Sequence, residues 1–176
     1  MDFPNVPIQS MDISLSTAVS ASNSPFTFNQ QVYVHQGVAW QANVTLPPLS
    51  RDEAKAVEGF LAGLRGASQT FKLGNPLHNT LAVGSITGSV GQTIVTASMT
   101  NAMVGDYFEF QDHLYIITSI SGSSYGIMPP LRNNASSATV DFTFPECTWR
   151  LATNDIGWSI DNSSMYSFTI PMVEAI

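Results

Sequence analysis

Charge is what this chain has least of. Asp, Glu, Lys and Arg together make up 11% of its 176 residues, less than half of the roughly 25% usual in soluble domains. Thirteen acidic residues against six basic ones leave a net charge of −7. The six basic residues are scattered from Arg51 to Arg150 and make no patch able to neutralise phosphates, so stable nucleic-acid binding is not expected. A single cysteine, Cys147, excludes an internal disulfide framework and a multi-cysteine zinc site. No apolar run approaches the ~18 residues of a membrane span. The first residues lack the basic-plus-apolar pattern of a signal peptide, so synthesis in the cytosol is expected, with no membrane partner. Asn43-Val44-Thr45, Asn134-Ala135-Ser136 and Asn162-Ser163-Ser164 fit the glycosylation acceptor pattern, and without a secretory route they read as chance matches.

Catalytic patterns are missing as well. His35, His78 and His113 lie far apart and outside any metal-ligand spacing. His113, beside Asp112, reads as a solvent-exposed histidine at a hairpin turn. Cys147 has no partner histidine and reads as a small buried hydrophobe. There is no nucleophile elbow and no phosphate-cradling glycine loop. The carboxylate pairs Glu109/Asp112 and Asp155/Asp161 could approach the spacing of a glycosidase site, yet nothing separates them from solvated turn acids. No enzyme, metal or cofactor is expected.

What is present is a mainly β pattern with one helix, over about residues 51–65. Ser50 is placed to cap it, and Glu53 stands three residues later, where its side chain can reach back to the cap. Asp52 and Glu53 complement the positive end of the helix dipole. Ala54, Val57, Leu61 and Leu64 recur at helical spacing with Phe60 beside them, forming one apolar stripe. Arg65 falls in the last turn, and Gly66 suits a left-handed cap. The helix should lie as a lid on a sheet.

Around it, residues 1–24 read as an extended arm, an edge strand and a SASNS loop. Residues 26–46 read as two strands that turn at Asn29–Gln31 and break at Gly37. Trp40, Ala42, Val44 and Leu46 alternate along the half leading into the helix. Gly105–Ile120 is the clearest hairpin, turning at Gln111-Asp112. Ser121–Gly126 and Asn133–Ala138 read as loops, Val140–Phe144 as a strand, and residues 147–151, 158–160 and 165–176 as closing strands around Trp149 and Trp158. Boundaries near Pro76 and Pro145 suggest a main domain of residues 1–76 plus 146–176, with a small β module, 77–145, inserted. The aromatics Phe26, Phe28, Trp40, Tyr107, Phe108, Tyr115, Trp149 and Trp158 read as sheet core or interface. A carbohydrate-binding module would instead expose Tyr107, Tyr115 and Tyr125 in one groove.

Three blocks then carry a family resemblance. LPPLSRDEAKAVEGFLAGLRGASQTFKLGNP, GDYFEFQDHLYIITSISG followed by IMPPLR, and CTWRLATNDIGWSIDNSSMYSFTIPMVEAI occur in the order seen in distal tail, or tail-tip, proteins of long-tailed bacteriophages. They cover most of residues 38–176. The resemblance implies a tail-tube-like β-sandwich or barrel, closed into a hexameric ring in the virion tail. One face of that ring would meet the tail-tube protein and the other the baseplate hub, around a lumen that passes DNA. The alternative within the same class is a head–tail connector or tail-terminator ring. The residues such a role would lean on are Ser50, Glu53, Leu61, Leu64 and Gly66 in the helix unit, with Trp40, Trp149 and Trp158 in the strands. The N-terminal arm would be free to reach a neighbouring ring.

Overall fold

The computed structural model of the protein describes residues 2–74, 80–162 and 164–176. Its strands, in chain order, are β1 (Ser10–Asn23), β2 (Gln30–Thr45), β3 (Thr70–Gly74), β4 (Val83–Gly88), β5 (Ile94–Thr100) and β6 (Tyr107–Phe110). They continue as β7 (His113–Ser121), β8 (Ser124–Met128), β9 (Ala135–Val140), β10 (Glu146–Leu151), β11 (Trp158–Ile160) and β12 (Tyr166–Glu174). One helix, α1 (Arg51–Leu64), separates β2 from β3. The fold is mainly β.

The strands divide into two curled sheets. The first runs β1-β2-β12-β10-β3, with β11 beside the first part of β12, and these neighbours pair antiparallel. The second runs β6-β7-β8-β5-β4-β9. Glu109 and Asp141 exchange backbone hydrogen bonds of 2.8 and 3.0 Å, which joins its first strand to the end of its last. The second sheet is thereby closed into a small barrel, and closure removes its exposed edges. Each sheet has its own core. Trp40, Ala42, Val44, Phe71, Trp149, Phe168, Ile170 and Met172 face α1 in the first. Phe108, Tyr115, Ile127 and Phe142 fill the barrel, with the Phe108 and Tyr115 rings stacked at 5.3 Å. The barrel draws its strands from residues 83–140 and the first sheet from outside that range. Pro76, the expected boundary, and His78 lie outside the described residues.

The helix forms where its pattern places it. The Glu53 carboxylate accepts from the Ser50 amide at 3.0 Å and from the Ser50 hydroxyl at 2.7 Å. Ala54, Val57, Phe60, Leu61 and Leu64 are buried against the sheet. The end differs slightly from expectation. Arg65 already has a left-handed backbone (φ 51°), and Gly66 follows at φ 65°. Only glycine fits there, because a Cβ on Gly66 would stand 2.8 Å from the Asn154 side-chain oxygen.

Four strand expectations need correction. β2 is one strand that continues past Gly37 with a shift of register there, and its hairpin partner is β1. Phe26 and Phe28 therefore belong to the connecting turn, and SASNS is mostly β1. The irregularity that Gly37 suggested is a bulge in β2: between the pairs Thr17/Val38 and Val19/Val34, β2 residues 35–37 stand opposite the single β1 residue 18. The loop expected at 121–126 shrinks to a tight turn before β8. Most of the expected 133–138 loop is β9, hidden because its serines and threonines face outward, while of the expected strand Val140–Phe144 only Val140, the end of β9, and the bridge at Asp141 are paired. The N-terminal arm packs on its own chain. Phe3 meets Phe60 edge-on at 5.4 Å, and Asp2 bridges to Lys72 on the outer side of β3.

A charge placed in the helix stripe should be fatal. Leu61→Asp is expected to abolish the cooperative thermal transition seen by far-UV circular dichroism. Ser50→Ala should cost only about 1 kcal/mol in urea unfolding.

Candidate functional site

The two sheets meet at a seam organised by one buried carboxylate. Glu174, near the end of β12, has no exposed side-chain surface. Its Oε2 accepts from the Trp40 amide at 3.1 Å and from Arg132 Nη2 at 3.0 Å. Its Oε1 lies 3.3 Å from both Arg132 Nε and His113 Nδ1. Arg132 also donates to the Val38 carbonyl, and its own amide donates to the Tyr115 hydroxyl at 3.0 Å. The Trp40 indole donates to the Leu114 carbonyl at 2.7 Å, and Leu114 itself packs in the first core. Burial pushes Glu174 toward its neutral form. The bonds from His113, Arg132 and the Trp40 amide outweigh that and hold it below its ordinary value. Burial likewise pushes the Tyr115 hydroxyl up to about 12, so it stays protonated.

This cluster is what residue spacing could not reveal. His113 is not a solvated turn histidine: its side chain is only 17% exposed and faces Glu174. The turn itself is where the pattern put it, with left-handed Gln111 and Asp112. The partner stands 61 positions away in sequence, so only folding brings the two together.

The other singled-out residues fall into two groups. Trp40 and Trp149 are core residues, and the Trp149 indole donates to the Leu73 carbonyl at 2.8 Å. Ser50, Glu53, Leu61, Leu64 and Gly66 build the helix and its ends. Trp158 stands apart from both, 40% exposed on β11 with its ring 6.0 Å from Phe168.

Three of the four acids in the expected pairs have structural partners. Glu109, raised by burial, accepts from the Glu146 amide at 3.0 Å, and Asp112 pairs with Lys72 at 2.6 Å. Asp161 accepts from the Met165 amide at 2.9 Å. Cys147 is buried, and burial pushes its thiol up, away from the reactive thiolate. Tyr115 and Tyr125 lie in the barrel core and Tyr107 is half-buried, so these three make no common groove. Among the described residues, no three His, Cys, Asp or Glu side chains are grouped to hold a metal. Nor is any helix among them long and apolar enough to cross a membrane.

Two surfaces of the first sheet are without cover among the described residues. One is the face of the first sheet turned away from α1. By alternation and register it carries Ser14, Gln41, Asn43, Thr45, Thr169 and Pro171, with Asp12, Lys72, Glu146 and Arg150 as its charges. Both cations on it are engaged, Lys72 by Asp112 and Arg150 by the Ala67 and Ser68 carbonyls. The other is the far part of the β1–β2 hairpin. Between Asp12 and Arg51 the chain has no Asp, Glu, Lys or Arg. β12 pairs with β2 only as far as Gln41, Trp40 and Val38 are still buried at the seam, and among the described residues the ribbon beyond Val38 projects with no third strand and no covering layer. Phe26 and Phe28 at its tip are 92% and 87% exposed, and Val19, Val32, Tyr33 and Val34 are exposed behind them.

Acid should weaken the seam with a defined sign. Because Glu174 is depressed in the folded state, its contribution is complete above the ordinary value near 4.5 and is lost as pH falls through its lower folded value. Glu174→Gln should therefore lower stability at neutral pH by about 3–5 kcal/mol, since it leaves a buried guanidinium without its counter-charge. It should also flatten the loss of stability below about pH 5. Urea unfolding of both proteins across that range measures this, and identical acid slopes would contradict it.

Compared with models of known protein families the chain matches none, and comparison with curated proteins finds no match.

Proposed function

We propose that this chain is a structural subunit of the tail tip of a long-tailed bacteriophage, assembling with copies of itself into a ring. By the resemblance of its three sequence blocks, the ring has six copies and joins the tail tube to the baseplate hub. One observation carries the reading: a projecting, charge-free hairpin with bare faces, an open β1 edge and an apolar tip. An isolated two-stranded ribbon is marginal in water, and an open edge invites pairing with another chain. Neighbouring copies would supply both the missing strand and the missing cover. Head-to-tail contacts of this kind close into rings when the rotation allows.

The bare face of the first sheet suits a lumen. Its groups are mostly neutral, and its two cations are already paired within the chain. Such a wall passes DNA without holding its phosphates. The barrel, fixed through Arg132, His113 and Glu174, would be carried as a rigid outer body for further tip proteins. The sugar-binding alternative draws no support from Tyr107, Tyr115 and Tyr125, since two of them are barrel core.

Antibody against the protein, applied to tailed particles in negative stain, tests the assignment. Label at the distal end of the tail is the expected result. Label at the neck would move the protein to the connector or terminator position. Particles that bind no antibody would overturn the virion role.

A further inference from the structure

The hairpin tip and one surface cleft lie on opposite sides of the first sheet. The cleft sits at the C-terminal end of α1, beneath the loop between β10 and β11, and holds about 280 Å³. Its walls are Leu61, Ala62, Ile156 and Trp158, with Arg65 and Asn154 at the polar side. The hairpin leaves the first sheet from the β1 edge, at the end of β12 marked by Glu174. The cleft lies toward the opposite edge, where β11 pairs with the first part of β12.

We propose that the hairpin tip of one copy seats in this cleft of a second copy, with Phe26 and Phe28 as its anchors. The inference rests on the ring reading and names the surface that receives the arm. Size supports it, since a cavity of about 150 Å³ is enough to take up benzene, and this cleft is larger. Chemistry supports it as well. The tip brings no charge to be desolvated, Trp158 offers an exposed ring for aromatic contact, and the Arg65 guanidinium can lie over an incoming ring. β11 pairs with β12 alone, so its outer side can take a further strand alongside the seated tip. Area supports it too. The six exposed apolar side chains of the hairpin make a large part of the roughly 800 Å² that each partner contributes to a stable interface. Donor and acceptor are different surfaces, so the contact is head-to-tail and propagates from copy to copy.

The test uses the full chain with the photo-crosslinking residue p-benzoylphenylalanine at position 28, mixed with isotopically labelled unmodified chain. Light scattering reports assembly, and peptide mass spectrometry maps the crosslinks. The expected product joins position 28 of one copy to peptides containing residues 61–66 or 154–158 of another. Phe28→Ser and Trp158→Ser should each weaken assembly about tenfold or more, and the double variant should be little worse than either, because both remove one contact. Phe28→Ser should leave the thermal midpoint unchanged, since the side chain is almost wholly exposed. An assembly that forms while position 28 crosslinks elsewhere, or that ignores both substitutions, overturns this seat and leaves the ring reading intact. A wild-type chain that stays monomeric at every concentration overturns both.

Discussion

Glu174 is the point on which the arrangement of the two sheets depends. A carboxylate with no solvent contact is costly unless each oxygen is bonded. Here the bonds come from three separate places: the β2 backbone at Trp40, the β7 side chain of His113, and Arg132 beyond β8. The requirement acts as a specification. Any other placement of the barrel would leave Glu174, Arg132 or both buried without a partner. Apolar packing around Leu114 and Trp40 supplies attraction across the seam, and the charged cluster makes one orientation better than its neighbours.

A firm seam changes what the remaining surfaces can be. Once the barrel is anchored and its strands are closed, three open demands stand out on the first sheet. These are the open edge of β1, the uncovered ribbon beyond Val38, and the exposed Trp158 and Ile160 on β11. They lie on opposite sides of one sheet, the geometry of a repeating contact. The low charge content follows the same logic. Charge is absent from the segment that would be buried between copies, and the cations of the bare face are held by partners in the chain.

Much of this was legible in residue spacing. The helix was readable because its start signal, stripe and stop are local, all within Ser50–Gly66. The Gln111-Asp112 turn was readable for the same reason, and so was the inward set Trp40, Ala42, Val44 and Leu46. The hairpin was misread because Gly37 is locally a strand breaker, whereas β2 takes it up in a bulge and goes on pairing with β1 on both sides of it. β9 was missed because outward-facing Ser and Thr give a strand the composition of a loop.

The sequence by itself determined the fold class, the helix with its ends, and the poverty of charge and cysteine, since composition and short-range periodicity carry these. Tertiary structure alone decided that His113 is buried on Glu174, that Arg132 closes the seam, and that Phe26 and Phe28 stand out at the tip of an uncovered ribbon. Those outcomes turn on which distant strands lie side by side. Pairing of that kind is a long-range choice, made by which arrangement buries the most apolar surface with every buried polar group bonded, and no local window contains it.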